Sequence, residues 1–92
     1  FSLRHVNLSH NLIGTMTRFL FPYHRYIPYK VRTVDLSFNQ INFLSDRSFL
    51  GLSHAVDIDL SHNQIAEFPV GVLINLTELV HLPRGLVYDP VI

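Results

Sequence analysis

Three short stretches of the chain alternate apolar and polar residues in the same way. Val6-Asn7-Leu8, Val34-Asp35-Leu36 and Ile58-Asp59-Leu60 each enclose one polar residue between two apolar ones. A serine follows each time, and an asparagine stands three places after the second apolar residue, at Asn11, Asn39 and Asn63. Ile13, Ile41 and Ile65 then fall two places later, and Leu3, Val31 and Ala55 stand three places before the first apolar residue. Alternation at period two predicts a short strand that buries one face and exposes the other. The first two stretches lie 28 residues apart and the second and third 24 apart, read from Val6, Val34 and Ile58. A repeat of that length is one supersecondary unit, which buries its apolar face only against its neighbours.

The correspondence continues beyond the strands. Leu44, Phe49 and Leu52 in the second unit match Phe68, Leu73 and Leu76 in the third. Side-by-side stacking pairs the strands into a parallel sheet with neighbours about 4.8 Å apart. Asn11, Asn39 and Asn63 mark where the chain leaves the sheet and turns. Such a turn points backbone N–H and C=O groups inward, and leaving one unpaired costs about 1–3 kcal/mol. A carboxamide both donates and accepts, so a column of asparagines can satisfy those groups between units. These three residues are read as a structural ladder.

The columns resemble the leucine-rich repeat, L-x-x-L-x-L-x-x-N-x-L. The stretch from Phe68 to Leu79 resembles the L-P-x-G-x-F-x-N-L-x-x-L tail of the 24-residue repeats found in animal cell-surface proteins. Together the matches span roughly residues 3–79. The resemblance implies an α/β fold in the form of a right-handed leucine-rich-repeat solenoid arc. It has a parallel β-sheet on the concave side and irregular or 3₁₀ segments on the convex side. The repeats are expected over residues 1–82, with full units at 3–30, 31–54 and 55–78 and the start of a fourth.

Two segments depart from the pattern. The first connection carries an insertion of four residues relative to the second. It is crowded with aromatic residues between Phe19 and Tyr29, with Arg25 and Pro28 where apolar residues are expected. It reads either as convex-side cover for the core or as a protruding loop that contacts a partner. At the other end Leu79 and Leu82 keep the spacing, but Arg84 falls where a buried Leu belongs and Val87 where the Asn belongs. Residues 83–92 are therefore expected to be irregular or truncated, and three units with two open ends to be poorly stable.

In proteins of this type the concave sheet often takes the ligand. The residues expected on it are Arg4, His5, Asn7, Ser9 and His10, then Arg32, Thr33, Asp35, Ser37 and Phe38, then Val56, Asp57, Asp59, Ser61 and His62. Val80 and His81 would extend it. Asp35 and Asp59 share a column with Asp57 beside them, an unfavourable grouping unless neutralised. Arg4 and Arg32 are expected to neutralise it. The result is either a solvated mixed-charge face or a patch for a basic segment of a partner. A calcium site is a weaker alternative, because six to eight oxygen ligands are not evident. Phe38, between His10 and His62, is the candidate contact anchor. Zinc between the two histidines is not expected, since about 10 Å separates them across two strand spacings.

Composition narrows the function. Hydrophobic residues make up 48% of the chain and charged residues 15%, with zero formal charge, which argues against disorder and against a nucleic-acid or anionic-membrane partner. No apolar run reaches the roughly 18–20 residues that span a bilayer. The chain starts at Phe1 and shows no basic-then-apolar leader. Cysteine is absent, which fits either a cytosolic protein or an internal slice of a longer one; the repeats favour the slice. Asn7-Leu-Ser9 and Asn75-Leu-Thr77 fit the glycosylation pattern, and Asn75 is placed on the return side where a glycan could face solvent.

Six histidines invite a search for catalysis, but H-E-x-x-H, G-x-S-x-G and a Gly-rich phosphate loop are all missing. His5 and His10, on a strand and its turn, cannot present paired metal ligands. The expectation is a non-catalytic protein-recognition module without cofactor or metal. Further leucine-rich repeats of the parent chain are expected on both sides. The resemblance implies a slice of a Toll-like receptor or chaoptin-like adhesion protein, extracellular or at the cell surface and membrane-anchored outside this segment. The alternatives are an intracellular scaffold that docks a signalling partner and a fragment without independent function.

Overall fold

The structure, a computed structural model, describes residues 3–16, 30–45, 48–49, 51–66, 71, 76–80 and 82–85. Three strands form in the predicted places: β1 (His5–Asn7), β2 (Thr33–Asp35) and β3 (Asp57–Asp59). They make one parallel sheet in the order β1-β2-β3, pairing Val6 with Val34 and Val34 with Ile58. Each strand is short because its alternating residues give way at once to a Ser-X-Asn turn. The fold is a leucine-rich-repeat arc, with the sheet on one side and turns on the other.

The central residues Val34 and Ile58 are buried while their neighbours in β2 and β3 are half-exposed, as period-two alternation requires. Behind the sheet, Val31, Leu36, Ile41, Leu44, Phe49, Leu52, Ala55 and Leu60 form the core. Full burial of a side chain of this kind contributes about 1.5–3 kcal/mol relative to exposure. Burial is graded along the arc: Val6, Leu8 and Ile13 of the first unit are only partly covered, whereas Val34, Leu36 and Ile41 are fully buried. Stacking against two neighbours, rather than residue type, sets the difference.

Opposite the sheet the chain turns through 3₁₀-type hydrogen bonds between residues three apart: Ser48 N–H to Ser45 O, Leu52 N–H to Phe49 O and Ala55 N–H to Leu52 O. Met16 pairs with Leu44 in an isolated parallel bridge, and the buried Ser48 hydroxyl donates to Met16 O at 2.9 Å. These contacts tie the first unit to the second on the far side of the core. The aromatic segment between Phe19 and Tyr29, and the tail beyond Gly85, lie outside the described residues.

The end of the sheet corrects one expectation. Val80 N–H bonds Val56 O, which keeps the 24-residue spacing. Three positions on, however, Asp59 pairs with Arg84 instead of Pro83. Arg84 N–H bonds Ile58 O, and Leu60 N–H bonds Arg84 O. One extra residue is taken up between Val80 and Arg84, and a one-residue slip exchanges the two faces of a strand. Pro83 therefore turns inward and is buried, while Arg84 is exposed. The physical reason is plain: burying Pro83 costs little, whereas burying an unpaired guanidinium costs several kcal/mol.

Candidate functional site

Each strand exit is built alike. The side-chain oxygen Oδ1 of Asn7, Asp35 or Asp59 accepts the backbone N–H of the serine two places on, at 3.0, 2.9 and 2.9 Å. The same oxygen accepts that serine's hydroxyl. Ser37 is buried, and Ser9 and Ser61 are half-buried, so these hydroxyls are committed to the turn rather than offered on the concave face. Asp35 and Asp59 are likewise partly occupied with structure.

The asparagines connect the units. Asn39 donates to Leu8 O of the preceding unit at 3.0 Å and accepts Ile13 N–H at 3.1 Å. Asn63 does the same toward Leu36 O and Ile41 N–H, both at 2.9 Å. Both also donate within their own units, Asn39 to Leu36 O and Ser37 O and Asn63 to Leu60 O and Ser61 O. Among the described residues Asn11 donates only locally, to Leu8 O and Ser9 O.

Between serine and asparagine stand His10, Phe38 and His62, with φ of 58°, 55° and 58°. This left-handed backbone is uncommon outside glycine and projects each ring sideways from the strand exit. The rings stack in a column. Phe38 lies 4.5 Å from His10 at 8° and 4.2 Å from His62 at 11°, measured between ring centroids. Phe38 is 45% exposed, but both of its ring faces are covered, so the column offers ring edges to a partner. Its anchor role needs that revision. Phe38 also stands between the two histidines, and among the described residues no group of three potential ligands could hold a metal ion.

The charged groups pair differently from expectation. Arg32 turns to the start of the strands, where it donates to His54 O at 3.1 Å and to Glu78 Oε2 at 3.4 Å. His54 Nδ1 lies 2.8 Å from the same Glu78 oxygen. The acidic pair is neutralised instead by Arg84, whose Nη2 lies 3.0 Å from Asp57 Oδ2 and 3.5 Å from Asp59 Oδ2. The slip that exposes Arg84 is what brings it there. Burial, the largest influence on the Asp59 carboxyl, pushes its pKa up. The Ser61 hydroxyl and N–H with the Arg84 charge outweigh burial and hold it below the ordinary carboxylate value. His5 Nδ1 meets Thr33 Oγ1 at 2.7 Å, and Arg4 is exposed at the outer strand.

The structure thus brings His5, Thr33, Asp35, Asp57 and Asp59 onto one face, with His10, Phe38 and His62 along its rim, while Arg4 is exposed just before β1 and Arg32 is drawn to Glu78 at the strand starts. Asn7 is exposed on the same face, whereas Asn75 and His81 lie outside the described residues. Arg84, His54 and Glu78 were missed. The Arg84 signal was present: reading Pro83 inward and Arg84 outward needs only a one-residue shift.

A family model described as leucine rich repeat matches residues 30–83, and the chain belongs to the leucine-rich-repeat family. Comparisons with curated proteins and with solved structures return no match. Repeats of this family generally mediate protein–protein interaction and are typically not enzymes. Among the described residues no helix is long and apolar enough to cross a membrane.

Proposed function

We propose that this chain is a protein-recognition segment of an extracellular receptor or adhesion protein, of the Toll-like or chaoptin-like type, and that it binds through the concave sheet and the ring column on its rim. One observation carries this reading: parallel strands hold side chains of three units in a single plane, and several of those side chains are not consumed by the fold. Arg4 and the His5–Thr33 pair are open to solvent or nearly so, and the His10–Phe38–His62 edges border them. A partner would meet a face that is mixed in charge, because Arg84 already compensates Asp57 and Asp59. Recognition by shape and by a few exposed contacts is favoured over capture of a strongly basic segment.

The extracellular placement is supported by the 24-residue unit and the Pro-x-Gly tail, and by the two acceptor sequences at Asn7 and Asn75. At Asn7 the turn uses only Oδ1, so Nδ2 keeps no hydrogen bond among the described residues and could carry a glycan. A glycan there would cover part of the concave face and move the contact toward β2 and β3.

Photo-cross-linking in the parent protein tests the face. A photoreactive residue in place of His5 or Thr33 is expected to capture a partner protein, and one in place of the exposed Phe43 is not. Capture from Phe43 alone would transfer binding to the other side of the arc. The compartment is tested by peptide mass spectrometry before and after enzymatic glycan removal. Deamidation at Asn75 on removal supports the exterior. An abundant unmodified Asn75 peptide favours the alternative, an intracellular scaffold.

A further inference from the structure

We propose that residues 82–85 close the parallel sheet, so that this arc accepts further units on its Leu3–Ile13 side and not beyond Arg84. Three observations converge on the closed edge. In the ladder Arg84 N–H and C=O both engage β3, through Ile58 O and Leu60 N–H. Alternate residues of a strand bond to opposite sides, so Pro83 turns its backbone toward the outer edge. Proline has no N–H, and the donor that a following strand would need there is missing. Second, the extra residue taken up before Arg84 puts the two halves of this strand in different registers, with Val80 spaced 24 from Val56 and Arg84 spaced 25 from Asp59. A following unit whose strand is regular, and so one residue shorter over the same span, could pair with one half only. Third, the arrangement is locked. Arg84 is clamped to Asp57 and Asp59, and Gly85 at φ 88° lies so close that an added Cβ would stand 2.4 Å from Ser61 Cα.

The opposite face is unfinished in a specific way. Asn39 and Asn63 each donate to a carbonyl and accept an N–H of the unit before them, whereas among the described residues Asn11 makes only its local bonds. Beside it Leu3 is 39% exposed, whereas Val31 and Ala55 in the same column are buried, and Val6, Leu8 and Ile13 are only partly covered. Apolar columns and a carboxamide in the ladder register match one occupant. That occupant is a leucine-rich unit of the same polypeptide lying before Leu3, contributing a parallel strand. Head-to-tail stacking of separate copies does not fit, because it would require the closed edge.

Two extended chains test the polarity. In one, a copy of residues 31–54 is placed directly before Leu3; in the other, a copy of residues 44–66 follows Ile92 to complete a further strand. The first is expected to raise Tm by about 5 °C or more, the shift that roughly 1 kcal/mol gives in a domain of this size. The second is expected to leave Tm within about 1 °C. Asn11→Ala should remove most of the first gain while barely moving Tm of the unextended chain. Deleting Pro83 from the second chain restores the 24-residue register and should recover a gain. Equal gains from both extensions, or no gain on deleting Pro83, would overturn the closed edge. Amide hydrogen exchange in the added unit reports whether it has docked; an undocked N-terminal unit overturns the open face. A dimer of the unextended chain that the N-terminal extension dissolves would make a second copy the occupant, and that too would overturn the proposal.

Discussion

The carboxamide of Asn39 reaches Leu8 O, 3.0 Å away and in another unit, while its oxygen receives Ile13 N–H. One buried side chain therefore satisfies backbone groups on two neighbouring turns. Asn39→Ala would leave Ile13 N–H without its acceptor, while Leu8 O and Leu36 O would each lose one of two donors and keep the other, from Asn11 and Asn63. One unsatisfied group of this kind costs about 1–3 kcal/mol, and a loss in that range is expected. Asn11→Ala, with local bonds on an exposed turn, should cost under about 0.5 kcal/mol. Urea unfolding of the two variants checks the contrast, and equal losses would remove the ladder from the account.

Phe38 combines an unfavourable backbone with a favourable stack. Its φ of 55° costs an L-residue about 1–2 kcal/mol, which glycine escapes. Both Phe38→Ala and Phe38→Gly lose the contacts with His10 and His62. The glycine variant should nonetheless be more stable than the alanine variant, by about 0.5–1 kcal/mol after its larger unfolded-state entropy is counted. The order of their urea midpoints decides; alanine above glycine would mean that the turn is not left-handed.

Much of this architecture was legible beforehand, and the reasons are local. The strands follow from Val6, Val34 and Ile58 with their period-two partners, and the turns from Ser-X-Asn. The shared column of His10, Phe38 and His62 was legible, but the stacking of their rings was not, because it depends on the left-handed backbone at each position. The partner of Asp57 was not legible by counting from the repeat, because a fixed 24-residue step assigns Arg84 to the core. The slip is decided by competition between burying Pro83 and burying a charge, and spacing alone carries no energies. The pairing of Arg32 with Glu78 was hidden for a similar reason: the arginine reaches diagonally across the strand starts to a residue outside the concave columns.

Acid should act through Asp59. Its folded pKa lies below the ordinary carboxylate value, so its contribution is present above the unfolded pKa of about 3.9 and is lost as pH falls through the folded value. Asp59→Asn keeps an oxygen for the Ser61 turn, as Asn7 does for Ser9, but loses the charge that meets Arg84. Between pH 7 and pH 3 the urea midpoint of the variant should fall less steeply than that of the parent. Parallel curves would exclude Asp59 as a source of acid sensitivity.

Gly85→Ala introduces a methyl group where Ser61 backbone atoms lie 2.4 Å away, at a φ of 88°. The edge must move, and Arg84 must leave Asp57. A loss of about 1–3 kcal/mol is expected, together with faster amide exchange at Arg84 and Leu60, whose N–H groups hold this edge. Unchanged exchange at both positions would show that the contact yields without disturbing the edge.

The direction of the asparagine bonds has a consequence for synthesis on the ribosome. Ile13 N–H waits for Asn39, which lies 26 residues later, and Ile41 N–H waits for Asn63, 22 residues later. Each turn is thus completed by a side chain that is still inside the exit tunnel when the turn itself emerges. Folding during translation must trail elongation by about one unit. The pairing of Arg84 with β3 comes later still, after the third unit has joined the second.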